Sequence, residues 1–403
     1  MRSNLSSLLD PYIPLLEYLG VWAVIVGIGL VVKADKHGII VKPYYLMLRT
    51  SAFNSLMQRL GSKFRRGWLT YFDIGAAMGL GLMIFIIYSL ILNAVNLFQR
   101  SSQAGPTLLI IPVPGVTISW EIFPYILIAI AVLLIPHEAA HGIASVIDKV
   151  PIKSSGVFLA IFLPGGFVEI DEEDLSKRKA RTKLRVFAGG SFTNVVSWFL
   201  VVLLVTNFAL VISPLYDSKS SGVLITGLVS GGGAQNSNVP NWSVLVAVNG
   251  TNVNSVESLR NVLSPLTPGH HLVLTISNAA SSTQTTYTII TQPASGNASR
   301  ATVGIFTFPY YKPVASFLPV SLPYHFYNTL SWMSLILLGV ALVNMLPMFP
   351  FDGDRYFDTL LASIRAPGWL RKYVRTIASV LSLSLLGGNL VLSFVLFGTI
   401  FPK

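Results

Sequence analysis

The chain has 403 residues, 52% of them hydrophobic and only 11% charged, with a formal net charge of +11 and no cysteine. Soluble domains carry about 25% charged residues, so this composition excludes an ordinary soluble globule and points to a membrane protein. Without cysteine there is no thiol catalysis, disulfide or Cys-ligated zinc. The cations fall between apolar runs, as in loops facing the cytoplasm, which argues against a nucleic-acid surface.

Arg2 is the only early cation and no small-residue cleavage site follows the first apolar run. That run is therefore expected to be a retained span, not a signal peptide. Spans need about 20 mainly apolar residues, and six segments qualify: 15–34, 74–98, 123–147, 188–213, 326–351 and 376–401. Between the third and fourth, GVFLAIFLPGGFVEI (156–170) is too short to cross and is broken by Pro164, Gly165 and Gly166. It reads as a re-entrant β-hairpin, tolerable at membrane depth where protein or water covers its backbone. Segments 33–73, 148–187 and 352–375 hold 21 of the 28 Lys and Arg residues. By the positive-inside rule they face the cytoplasm, leaving both termini outside.

Residues 214–325 are rich in Ser, Thr, Asn, Gly and Val. VLITGLV, SVLVAVNG, HLVLTIS and TYTII read as short strands and VESLRNVL as a short helix. The expected fold is thus a polytopic α-helical membrane protein with about six spans, a re-entrant hairpin and a small β-rich extracytoplasmic domain. Its parts are 1–122 (two spans and a basic loop), 123–213 (the first half of the core), 214–312 (the β-rich domain) and 313–403 (the second half). Sequons at Asn4, Asn241, Asn249 and Asn297 all fall on the expected outer side. No internal repeat marks a two-halved transporter.

Residues 132–145 read VLLIPHEAAHGIAS. His137 and His141 stand four apart, so a helix puts both imidazoles on one face, within reach of one ion. Glu138 lies beside them, close enough to act on a water. H-E-x-x-H on a helix is the zinc metalloprotease pattern, and ionisable groups inside a span are functional by default. Catalytic zinc takes three protein ligands. The third is expected to be Asp352 in VNMLPMFPFDGDRYF (343–357), at the inner end of the fifth span and followed by Gly353, which permits a sharp turn. Asp354 competes for the role.

HEAAH in one span, NMLPMFPFDG in a later one and GGSFTN (189–194) at the start of the span between them together resemble the site-2 proteases, intramembrane zinc metalloproteases. The resemblance implies Asp352 as third ligand, although Phe351 replaces the usual Leu before it. The family's Gly-x-x-x-Asn element corresponds to Gly190 through Asn194. The β-rich insert resembles a PDZ domain, with SGVLITGLV (221–229) holding the peptide-carboxylate loop and first strand.

The family implies one Zn2+ per chain on His137, His141 and Asp352, with Glu138 as general base, in a zinc metalloendopeptidase. Asn194 and Asn344 are candidates to stabilise an oxyanion, to orient a ligand or to pin helices together. Expected substrates are single-span membrane proteins cut in or near the span, after a first extracytoplasmic cut. The PDZ-like domain is expected to capture a peptide C-terminus or to exclude bulky substrates. The location would be the cell membrane, with the active site toward the cytoplasm. A zinc-binding transporter and an inactive scaffold are the competing classes. Glu138 argues against the first, since transport needs no base beside a ligand, and the complete ligand set argues against the second.

Overall fold

A computed structural model describes residues 13–161, 163–278, 283–294 and 297–402, apart from the side chains of Pro14, His37, Leu163 and Asn297. In chain order the main elements are α1 (Ile13–Val31), β1 (Ile39–Lys42), β2 (Tyr45–Arg49), α2 (Ser51–Lys63), α3 (Arg65–Phe98), α4 (Phe123–Ile147), β3 (Ile152–Ala160), β4 (Leu163–Ile170), α5 (Glu172–Lys177) and α6 (Ala180–Thr206). There follow β5 (Val223–Leu228), β6 (Val244–Val248), β7 (Thr251–Asn252), α7 (Val256–Leu263), β8 (His271–Ser277), β9 (Gln284–Ile290), β10 (Gln292–Ala294), β11 (Asn297–Thr302), β12 (Ile305–Pro309), α8 (Leu322–Val343), α9 (Asp352–Ser363) and α10 (Gly368–Phe397). Two compact units result: one runs to Val202 and resumes at Ser331, the other is Leu203–Leu330.

Among the described residues, five helices are long and apolar enough to cross a membrane: α3, α4, α6, α8 and α10. Each overlaps one of the expected spans. The sixth, 15–34, forms α1, whose apolar stretch Leu15–Val31 is shorter than the other five. The fifth helix also ends early. α8 stops at Val343, and a run of turns separates it from α9, so Asp352 opens a new helix and does not close the span.

In the first unit α2, α3 and α6 pack on α4 around Met57, Phe72, Ile143 and Val186. Small residues allow the close approaches. Gly75 of α3 faces the Phe192 ring and Gly79 faces Tyr356, where a Cβ would sit 2.8 Å from each ring. Such small-residue contacts replace the hydrophobic driving force that lipid cannot supply.

The hairpin expected at 156–170 is present as β3 and β4, joined over eight residue pairs. It belongs to a larger antiparallel sheet, ordered β1-β2-β3-β4, with β4 at an edge. β1 and β2 lie in the segment read as a basic loop. IIVK and YLMLR fold back on each other through a tight turn at Pro43–Tyr44, and β2 takes its second partner from β3, more than 100 residues on. α1 is tied to this sheet by the Tyr18 hydroxyl, which donates to the Ile161 carbonyl, and by Trp22 Nε1, which donates to the Pro43 carbonyl at 2.8 Å.

The second unit is a sheet ordered β12-β5-β6-β8-β9 with β7 beside β6. Its core includes Val223, Ile225, Leu245, Leu259 and Leu274. α7 covers it, started by a capping box between Ser255 and Ser258. The four strands and the helix foreseen in the sequence are β5, β6, β8, β9 and α7; β7, β10, β11 and β12 were not foreseen. β5 is paired on both sides, with β12 and with β6. β5 is thus an inner strand of the sheet, paired with β6 at Val223 and Leu224. The edge strands of this sheet are β12 and β9. A cleft of about 300 Å3 runs between β12 and α7, lined by Leu259, Arg260, Leu263, Arg300 and Ile305 among others. Of the sequon residues, Asn249 has a turn role: its φ is 49° and its Oδ1 accepts from the Val273 amide at 2.8 Å. Asn241 is exposed. Asn4 lies outside the described residues.

A buried ion network fixes α6 against its neighbours. Arg185, only 7% exposed, donates to Asp73 on α3 at 2.7 and 2.9 Å and to Asp148, just past α4, at 3.0 and 3.2 Å. Removing one partner from such a cluster strands the other charges. Arg185→Ala should lower the unfolding free energy in mixed detergent by about 3–5 kcal/mol; a loss under about 1 kcal/mol would show that the network is not structural.

Candidate metal centre

His137 and His141 lie one turn apart on α4, both buried, with ring centroids 4.8 Å apart. Their Nε2 atoms are 3.2 Å from each other. Asp352 Oδ2, at the start of α9, is 3.4 Å from His137 Nε2 and 3.1 Å from His141 Nε2. These three donors are the candidate metal-binding group among the described residues. Tetrahedral zinc with bonds of about 2.0–2.1 Å puts neighbouring ligand atoms about 3.3 Å apart. The observed triangle fits that ion without rearrangement.

Backbone contacts aim the ligands. The Val186 carbonyl of α6 is 2.7 Å from His141 Nδ1. It accepts that ring's N–H and leaves Nε2 free to bind an ion. On α6, Gly190 stands directly against the pair: a Cβ there would lie 2.5 Å from His141 Nε2 and 2.6 Å from His137 Nε2. Gly353 donates its amide to the Asn344 carbonyl at 2.7 Å, and a Cβ at 353 would run into the Met345 and Leu346 backbone. A side chain after Asp352 would therefore push the ligand away from the histidines.

Asp354, the competing third ligand, lies elsewhere. It is 2% exposed and holds the Arg375 guanidinium of α10 through both carboxylate oxygens. The two asparagines sit on opposite sides of His137. Asn194 is fully buried with its amide nitrogen 2.9 Å from His137 Nδ1, while its Oδ1 has no partner. An imidazole that ligates through Nε2 carries its proton on Nδ1 and needs an acceptor there. With the amide turned over, the orphan oxygen supplies it. Asn344 instead lines the cavity, its amide nitrogen 3.5 Å from His137 Nε2.

That cavity, of about 600 Å3, holds Glu138 as well as the three donors, and Lys153, Glu169, Glu172 and Arg355 also line it. Charged walls give water a path to a site in an apolar helix bundle. β4 forms one side, where a Cβ on Gly166 would come within 2.8 Å of Glu138 Cγ, so the edge strand passes directly over this carboxylate. Just past β4, Asp171 is held below the ordinary carboxylate range by the Asp174 amide it caps, with Lys153 assisting. Sequence reading did not find Val186, Gly166 or Arg355. The paired glycines at 165–166 were a visible signal for the second of these.

The geometry gives a paired test. Gly190→Ala should lower zinc affinity at least about tenfold in a metal-buffer titration. Gly189→Ala, whose Cβ would meet the Phe72 ring at 3.2 Å, should stay near the wild-type value. Equal affinities would contradict the packing of Gly190 on the ligands.

Comparison with known proteins places the chain in a family. The model of peptidase family M50 matches residues 125–387, more than half of the chain. A membrane-bound transcription factor site-2 protease homolog of Arabidopsis thaliana is 26% identical over 182 residues, 44% of this chain and 34% of that one. An uncharacterized protein of Methanocaldococcus jannaschii is 26% identical over 250 residues, 60% of this chain and 58% of that one. The chain thus spans about a third of the plant relative and somewhat over half of the archaeal one. It is an integral membrane protein that belongs to peptidase family M50, the site-2 protease family.

Proposed function

We propose that the protein is an intramembrane zinc metalloendopeptidase that hydrolyses peptide bonds in or near the spans of membrane-protein substrates. The observation that carries this is the ligand triangle of His137, His141 and Asp352, with Glu138 in the same cavity. The three residues would hold one zinc per chain. When bound, the ion supplies Lewis acidity toward the scissile carbonyl and the attacking water.

This chain's residues do the rest. Glu138 takes the proton from the attacking water and passes it to the leaving amine. Asn194 keeps His137 in the tautomer that ligates through Nε2. Asn344, beside that nitrogen and open to the cavity, is positioned to donate to the developing oxyanion. The carboxylate of Glu138 beside a ligand is what a transport site would not need.

A helical substrate hides its amides and must unwind to be cut. β4 is an open edge next to Glu138, and an extended segment added there would satisfy its backbone groups. The six-span topology, with α1 as a span, both termini and the β-rich domain outside and the site toward the cytoplasm, is supported by the placement of 21 of 28 cations. The domain at 214–312 is read as PDZ-like, flanked by core halves 123–213 and 313–403. Its cleft between α7 and β12, with Arg260 and Arg300 on its lining, suits the new C-terminus of a single-span protein already trimmed outside. Exclusion of bulky substrates by size is the alternative use of the same domain.

Purified protein and its Glu138→Gln variant should each hold about one zinc, and only the wild type should cleave a membrane-spanning model peptide in detergent. A chelator should abolish that cleavage and zinc should restore it. Equal cleavage by both proteins would remove Glu138 from the mechanism.

A further inference from the structure

Beside the metal centre lies a second cavity, of about 490 Å3, bounded by residues of α5, α6, α9 and α10. Glu172, Leu175, Phe187 and Arg355 line both cavities, so a thin partition of side chains separates them. Arg355 is central to it. It stands one turn along α9 from Asp352, lies over the Phe187 ring at 6.0 Å and pairs with Glu172 at 2.7 Å. Glu172 follows closely on the end of β4 at Ile170. A polypeptide laid along β4 and cut beside Gly166 therefore reaches this partition about four residues further on, at about 3.3 Å per residue.

The second cavity is basic. Lys183, Arg355, Arg371 and Arg375 line it, against Glu172 and Asp358. Two of the cations are already used: Arg371 holds Asp358 at 2.7 and 3.2 Å, and Arg375 holds Asp354. Lys183 donates to a neutral group, the Ser176 carbonyl, at 2.6 Å, which leaves two ammonium hydrogens for a ligand. The Arg355–Glu172 pair is well exposed on both sides, 54% and 71%. So exposed a pair contributes little and exchanges readily for another carboxylate.

We propose that this cavity is a subsite for an acidic residue flanking the cut in the polypeptide substrate. Arg355 and Lys183 read the carboxylate, and Glu172 is the internal carboxylate that occupies Arg355 until a substrate displaces it. The guanidinium fork suits a carboxylate in two-bond geometry. Cytoplasmic flanks of membrane proteins are usually rich in Lys and Arg, so the subsite would select against the commonest flank. The inference rests on the hydrolase reading and adds to it a substrate preference.

The test uses three membrane-spanning peptides that differ only in a four-residue flank of Glu, Gln or Lys. Cleavage is measured with the full-length zinc-loaded protein in detergent, and binding of the same peptides with Glu138→Gln. Wild type should prefer the Glu flank over the Lys flank about tenfold in kcat/KM, the scale of one charge-assisted hydrogen bond. Glu172→Gln should widen that ratio, and the double variant Arg355→Glu, Lys183→Glu should invert it. Cleavage of the Gln peptide with no dependence on flank charge would overturn the subsite, as would a double variant that still prefers Glu. If no peptide is cut, the hydrolase reading fails by itself, and binding decides the subsite: a Glu preference upholds it and equal binding overturns it.

Discussion

Three polar groups drawn to one point inside an apolar helix bundle are the constraint on which the rest depends. Two buried imidazoles and a carboxylate bring their donor atoms within 3.1–3.4 Å of each other, and in an apolar surround that arrangement is costly unless a shared ion compensates it. The features around the triad are those that such an ion requires. Gly190 leaves room for it, Gly353 lets the ligand-bearing turn close on α8, and the Val186 carbonyl fixes one ring by its far nitrogen. The Arg185 cluster holds α6 to α3 and to the end of α4, and so keeps Val186 and Gly190 facing the ligands.

In the proposed function the same elements would connect the ion site to a substrate. β4 is at once a wall of the cavity, an open sheet edge and the strand that packs on Glu138. In the proposed function, an unwound segment would be held by backbone hydrogen bonds at the place where its bond is attacked, removing the main obstacle to cutting a helix in a medium without water. The charged side chains beyond that strand line both cavities, and in the proposed scheme they would admit water and choose among flanks. Specificity in this scheme comes from what surrounds a generic hydrolytic centre.

What could be seen in the sequence was local. The spacing of His137 and His141 is set by one turn of helix, and the apolar runs and period-two strands declare themselves within short windows. The third candidate donor was legible because few acids lie at comparable depth, and Gly353 marked the sharp turn after Asp352. The sequence could not separate Asp354 from Asp352 on chemical grounds; the pairing with Arg375, 21 residues away, does so. Pairings over longer separations were hidden: β2 finds its partner in β3, and Glu172 meets Arg355 across 183 positions. The peptide-binding strand was expected in β5 from the resemblance of 221–229 to the carboxylate loop and first strand of a PDZ domain. Strong pattern reflects burial on both sides, and an open edge falls to a weaker strand such as β12.

Zinc K-edge X-ray absorption on the purified, zinc-loaded protein tests the central claim most directly, because it reads the ligands without requiring activity. The account predicts one site with two imidazole nitrogens and oxygen donors at about 2.0–2.2 Å, and loss of one imidazole in His141→Ala. A shell with no imidazole, or a spectrum unchanged by that substitution, would contradict it.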